Sequence, residues 1–204
     1  SAEAHLAAGT LVLDGKPLLP RADLPLLGDH NVANALAAAL CAARLGVPRR
    51  AITRALASFS GLPHRHQLVA AGRGVRFVDD SKGTNIGATA AGLAGYPPGS
   101  IHLILGGLGK GQRFGELAPA VAGRVARAYL IGTAADEIAD ALHGVVPCDL
   151  CGTLQVAIER ACSIARPGDT VLLSPACASF DQFANYADRG DQFARLARAA
   201  AEGR

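Results

Sequence analysis

Seven consecutive residues, Asp79-Asp80-Ser81-Lys82-Gly83-Thr84-Asn85, carry two carboxylates, two hydroxyls, an ammonium and a carboxamide. An apolar run precedes them, Val75 to Val78 broken by Arg76, and reads as a short strand. A run of small residues from Ile86 to Leu93 follows and reads as a helix. The seven residues therefore form a strand-to-helix turn, the place where open α/β sheets hold their ligands. A plain turn needs one glycine and one capping residue, so this one carries more polar chemistry than its geometry requires.

Two further loops have the composition of ligand loops. Gly106-Gly107-Leu108-Gly109-Lys110-Gly111 bares backbone N–H groups at four glycines and adds the charge of Lys110, which makes an anion cradle or a merely flexible loop. It is not a Walker A loop, since Ile104 stands where the first glycine is needed and Gly111 replaces the hydroxyl residue. Ser174-Pro175-Ala176-Cys177-Ala178-Ser179 leads into a long helix. Ser179 and Gln182 have capping-box spacing, which predicts a helix start there and an N-terminus able to hold a carboxylate. Only three of the 20 basic residues are lysines, and two of them, Lys82 and Lys110, sit in these loops.

The remaining candidates are less specific. In His64-Arg65-His66 an extended backbone places both imidazoles on one side and Arg65 on the other, where it could reach a phosphate; the histidines read as surface or capping residues rather than as a metal pair. Asn31 and Asn34, three apart at a helix start, share a face and offer donor and acceptor together, as an adenine edge requires; a cap and a surface residue is the competing reading. Cys148-Asp149-Leu150-Cys151 is a lone C-x-x-C without the second pair of a zinc ribbon, and Cys177 reads as a small buried filler.

The elements that must position these groups read in order as follows. Leu11 to Leu19 is a hairpin turning at Asp14-Gly15, with Pro17 at an edge, and the stretch before it is featureless. Helices follow, one opened by Gly28-Asp29-His30-Asn31 and running to about Leu45 and one at 49–57, the first with Val32, Ala35, Leu36, Ala39 and Leu40 on its apolar face. A hairpin and two helices do not close a core, so residues 1–60 read as the tail of a larger domain, with a boundary at Gly61-Leu62-Pro63. Beyond it, a hairpin at 67–78 is followed by strands at 101–105, 128–131, 145–148 and 170–173. Helices at 115–125, 134–142, 153–165 and 180–201 alternate with them. That alternation predicts an α/β fold: a Rossmann-like, doubly wound, mostly parallel sheet over residues 61–204, preceded by a helical and hairpin remnant. The crossover rule gathers the post-strand loops at one edge.

Composition narrows the function classes. Half the residues are hydrophobic, Trp and Met are absent, and the net charge is +3. Without blocks of like charge or basic residues interleaved with aromatics, nucleic-acid binding has little support. No apolar run approaches a membrane span, and the first ten residues lack the pattern of a signal peptide. Five cysteines without framework spacing suit a reducing, cytoplasmic setting. Oligomeric state is not legible. From the residues alone, a non-catalytic Rossmann-like module binding an anionic metabolite stays open beside an enzyme.

Gly28-Asp29-His30-Asn31-Val32-Ala33-Asn34-Ala35, Gly61-Leu62-Pro63-His64-Arg65, Asp80-Ser81-Lys82-Gly83-Thr84-Asn85, Gly106-Gly107-Leu108-Gly109-Lys110 and Ser174 to Phe183 together have an order and spacing that resemble the Mur ligases of peptidoglycan synthesis, and within them the D-glutamate-adding members. The resemblance implies the end of a central ATPase domain at 1–60 and the C-terminal ligase domain at 61–204. The Walker A loop, the Mg2+ ligands and the UDP-sugar site are expected in an N-terminal portion, without which the chain is expected to be inactive. It implies an ATP-dependent ligase that makes an acyl phosphate on UDP-N-acetylmuramoyl-L-alanine, which the amine of D-glutamate attacks. Asn31 and Asn34 would lie by the adenine nucleotide, Arg65 at the ATP phosphates and Asp80 at the ribose. Lys82, Thr84, Lys110, Ser179, Phe180 and Tyr186 would bind D-glutamate, with Lys82 and Lys110 also serving catalysis. Tyr186 stands where the family usually has Phe, and Leu108 where an acidic residue is common.

Overall fold

A computed structural model describes residues 3–26 and 28–203. The chain folds as two compact units, Ser1–Leu62 and Pro63–Arg204.

In the first unit, strands β1 (Ala4–Ala7), β2 (Thr10–Leu13) and β3 (Lys16–Pro20) form an antiparallel meander in that order. Asp14 and Gly15 both take positive φ, the geometry of a two-residue hairpin turn. Strand β1 occupies the stretch read as featureless. Its side chains are half-buried or exposed, so it adds mainly ladder hydrogen bonds, with Ala4 alone packing on the core, and apolar patterning could not reveal it. Helices α1 (Asp29–Arg44) and α2 (Arg49–Ser58) cover the sheet, and Leu11, Leu13, Leu18 and Leu19 pack with Val32, Ala35, Ala39 and Ile52. The expectation that a hairpin and two helices close no core is thus corrected: with the third strand they enclose a small one. The N-cap of α1 is Gly28, so neither Asn31 nor Asn34 caps it.

The second unit is a six-stranded sheet of order β4-β5-β9-β6-β7-β8. Strands β4 (Gln67–Gly72) and β5 (Val75–Asp79) are an antiparallel hairpin. The others, β6 (Ile101–Gly106), β7 (Val125–Ile131), β8 (Cys148–Gly152) and β9 (Thr170–Leu173), pair in parallel. Every residue of β6 and β9 is buried, as expected of central parallel strands covered on both faces. Alternation along them divides the core. Leu103, Leu105, Leu130 and Leu172 face helices α3 (Ile86–Gly92), α4 (Ala118–Val121) and α5 (Ala135–Ala141). Ile104, Tyr129, Ile131, Val171 and Leu173 face α6 (Leu154–Ile164) and α7 (Tyr186–Glu202).

Three expected elements differ. The helix read at 115–125 is a 3-10 turn, Phe114–Leu117, followed by the single turn α4; Gly123, at φ 70°, ends it before β7 begins. The strand read at 145–148 starts at Cys148 instead, because Val146 fills the core from within a turn. The last helix begins at Tyr186, not Phe180. Asn185 caps it by accepting from the N–H groups of Ala187 and Asp188, and the Ser179–Gln182 pair makes only a backbone turn. Among the described residues, no helix is long and apolar enough to cross a membrane.

Candidate functional site

Strand order reverses around β9, so the loops after β5, β6 and β9 emerge side by side, and hydrogen bonds join them. Ala176 N–H donates to Gly83 O at 2.9 Å. Leu108 and Ala178 exchange both backbone bonds, at 2.9 and 3.1 Å, and Gln112 Nε2 donates to Ala176 O at 2.6 Å. Gly107, at φ 129°, is required here: a Cβ would collide with Ala178 O.

Beneath these loops lies Arg189, whose side chain is fully buried. Its Nε and Nη2 donate to Ser81 Oγ and O, each at 2.9 Å, and Nη1 and Nη2 reach Cys177 O at 3.2 Å. One guanidinium thus ties the loop after β5 to the loop after β9, which suits its rigid fork of donors. Burial lowers its pKa to about 10, still high enough for full charge at neutral pH. No motif in the sequence marks Arg189. Its place in the buried stripe Arg189, Phe193, Ala197 is the periodic signal that could have found it.

Two carboxylates follow β5. Asp79 is fully buried; its Oδ2 meets His64 Nδ1 at 2.7 Å and its Oδ1 accepts Ser81 N–H at 2.8 Å. Burial pushes its pKa up, against those bonds. Asp80 accepts His66 N–H at 3.2 Å and Ser174 O–H at 2.7 Å, and burial raises it to about 6. His64 and His66 both take positive φ rather than the extended backbone expected, and both point inward, His66 Nε2 to Tyr96 OH at 2.8 Å. The reading of them as surface residues is corrected by these buried partners.

Lys82 Nζ sits 4.0 Å from the centroid of the Tyr186 ring. Lys110 Nζ donates to Thr84 O at 3.3 Å, which brings the lysine of the glycine loop onto the polar turn after β5. Ser179 is 2% exposed and Phe180 is 69% exposed. Arg65 is exposed close enough to Asp80 to stabilise its charge. In the first unit, Asn34 Nδ2 donates to Asn31 Oδ1 at 3.4 Å, so the two carboxamides do share a face.

A family model described as "Mur ligase, glutamate ligase domain" matches residues 64–177, more than half the chain, and spans the loops after β5 and β6. The chain belongs to the Mur ligase family. It is 49% identical to the UDP-N-acetylmuramoylalanine–D-glutamate ligase of Anaeromyxobacter dehalogenans over 84% of this chain and 38% of that protein. To the enzyme of that name from Aromatoleum aromaticum it is 51% identical over 94% of this chain and 41% of the relative. The chain therefore spans about two fifths of the length of these curated relatives. Solved structures share the fold at low identity. The MurF ligase of Thermotoga maritima in complex with ADP superposes with TM-score 0.64 at 15% identity, over 99% of this chain and 46% of its own. UDP-N-acetylmuramate-alanine ligase MurC of the same organism gives 0.63 at 18%, over 91% and 41%.

For the Mur ligase's nucleotide, the exposed Arg65 guanidinium suits a phosphate, while Asp80 already shares both oxygens with donors of its own unit. For Mg2+ the residues do not fit: among the described residues no group of three or more His, Cys, Asp or Glu side chains is placed to hold a metal ion.

Proposed function

We propose that this chain serves an ATP-dependent ligase that joins D-glutamate to UDP-N-acetylmuramoyl-L-alanine, contributing the amino-acid site and part of the nucleotide site. The observation that carries this reading is the bond from Lys110 Nζ to Thr84 O, which supports a shared role for two cationic loops far apart in sequence. D-glutamate is a dianion with an amine. Lys82 and Lys110 match its two carboxylates in number and charge, and Thr84 and Ser179 add hydroxyls that can accept or donate. Tyr186 and the exposed Phe180 would add apolar surface beside a bound ligand, which would strengthen those charge contacts as it displaces water. Arg65 would hold the nucleotide phosphates and Asp80 the ribose, with Asn31 and Asn34 at the base.

ATP supplies the activation of the carboxylate that the amine attacks. This chain's residues orient the amine and counter the negative charge that builds in that attack, which is positioning and electrostatics more than acid–base work. The names of the 44–51% identical relatives support the choice of D-glutamate. The test joins the chain to the N-terminal portion of such a relative and measures phosphate release dependent on ATP, D-glutamate and the UDP-linked substrate. Lys82→Ala and Lys110→Ala are each expected to lose most activity. Undiminished turnover by either variant would refute that lysine's role.

A further inference from the structure

The Lys82 ammonium lies 4.0 Å from the centre of the Tyr186 ring, and that ring is its one partner found among the described residues. A cation this close to an aromatic face is held by the ring's quadrupole, which leaves the N–H donors that point away from the ring available to an anion. Tyr186 is itself anchored twice to the end of β5, once through its backbone carbonyl and once through its ring. Tyr186 O accepts from Ser81 Oγ at 2.7 Å, and the backbone of Ser81 is fixed by Asp79 Oδ1 at 2.8 Å. The ring also meets the edge of His64, centroids 6.0 Å apart in a T-shaped pair, and His64 is held by Asp79 Oδ2 at 2.7 Å. Both tethers start from one buried carboxylate, and the loop bearing Lys82 starts from the same strand end.

We propose that Tyr186 is a positioning residue for Lys82: its aromatic face holds the flexible lysine stem in one direction before an anionic amino acid arrives. The attraction needs the ring and not the hydroxyl, so a phenylalanine would serve equally well. A free lysine must lose its rotamer freedom when the ligand binds, whereas a lysine already lying on a ring has lost it beforehand. This rests on the ligand reading above only for the identity of the anion.

Three lysines in the whole chain make the Lys82 side-chain methylene signals easy to assign by NMR. Ring current is expected to displace them upfield in the wild type and in Tyr186→Phe, and to leave them at the ordinary lysine position in Tyr186→Leu. In the chain joined to the N-terminal portion of a relative, the half-saturating D-glutamate concentration is expected to be kept by the conservative Tyr186→Phe, which retains the ring, and to rise about fivefold in Tyr186→Leu. Unshifted Lys82 signals in the folded wild type would overturn the proposal, as would equal D-glutamate binding by wild type and Tyr186→Leu. Ring-shifted signals without any D-glutamate binding by the wild type would overturn the ligand reading and leave the ring–lysine pair standing.

Discussion

Replacing Arg189 with methionine removes a buried cation and keeps most of its volume. Two effects oppose each other. Exchanging a buried ion for an apolar chain of similar size is often neutral when its partners are exchanged too. Here they are not: Ser81 O and Cys177 O lose the guanidinium donors and stay buried, while Ala178 O keeps its bond from Leu108 N–H. Two stranded acceptors at about 1–3 kcal/mol each outweigh the gain, for a net loss of about 2–4 kcal/mol. Asp79 also loses a nearby positive charge, so its already raised pKa should rise further. The assay is built into the composition. There is no Trp, and all three tyrosines, Tyr96, Tyr129 and Tyr186, lie in the second unit. Tyrosine fluorescence during urea unfolding therefore reports that unit alone. A loss below about 1 kcal/mol for Arg189→Met would refute the claim that this side chain ties the loops together.

The Asp80 carboxyl, raised from 3.8 to about 6, keeps its proton in the folded state where the unfolded chain has lost it. Stability should therefore fall as pH rises from about 4 to about 6, by up to about 3 kcal/mol, and Asp80→Asn should flatten that slope; parallel pH profiles for the two proteins would count against it. Gly190→Ala would ordinarily strengthen a helix by about 1 kcal/mol, but a Cβ there meets His64 Nδ1 and lies 2.6 Å from Asp79 Oδ2. Urea unfolding should show destabilisation of about 1–3 kcal/mol, and a gain would contradict the close approach. Alkylation of the folded chain at neutral pH should label the exposed Cys41 and Cys162 and spare Cys177, which is buried with its thiol pushed up to about 11. Mild oxidation should not join Cys148 to Cys151, which pack on opposite faces of the sheet; mass spectrometry of the oxidised chain would reveal such a link.

Much of the second unit was legible because its physics is local. Buried parallel strands are runs of Val, Leu and Ile, and each helix behind them carries its own period. Asn85 and Thr153 cap α3 and α6 with their own side chains, so sequence places those starts well. The candidate ligand loops stand out for a different reason: they hold more polar groups than a turn requires. Where a boundary depended on a remote contact, the reading slipped. Val146 looks like a strand residue because it is apolar, and only the core it fills shows that it sits in a turn. The start of α7 went to Ser179 by spacing, while Asn185 and Asp188 make the cap.

Sequence by itself determined the alternation of strands and helices, the residue types of the polar loops and the likeness to the Mur ligases, because each is written in neighbouring positions. Only the tertiary structure decided that Arg189 lies beneath those loops, that Asp79 and Asp80 turn inward to His64, His66 and Ser174, and that Lys82 rests on Tyr186. Those contacts join residues up to 108 positions apart. A buried charge chooses its partners by which carbonyls and hydroxyls the fold brings within about 3 Å, and spacing along a chain does not encode that distance.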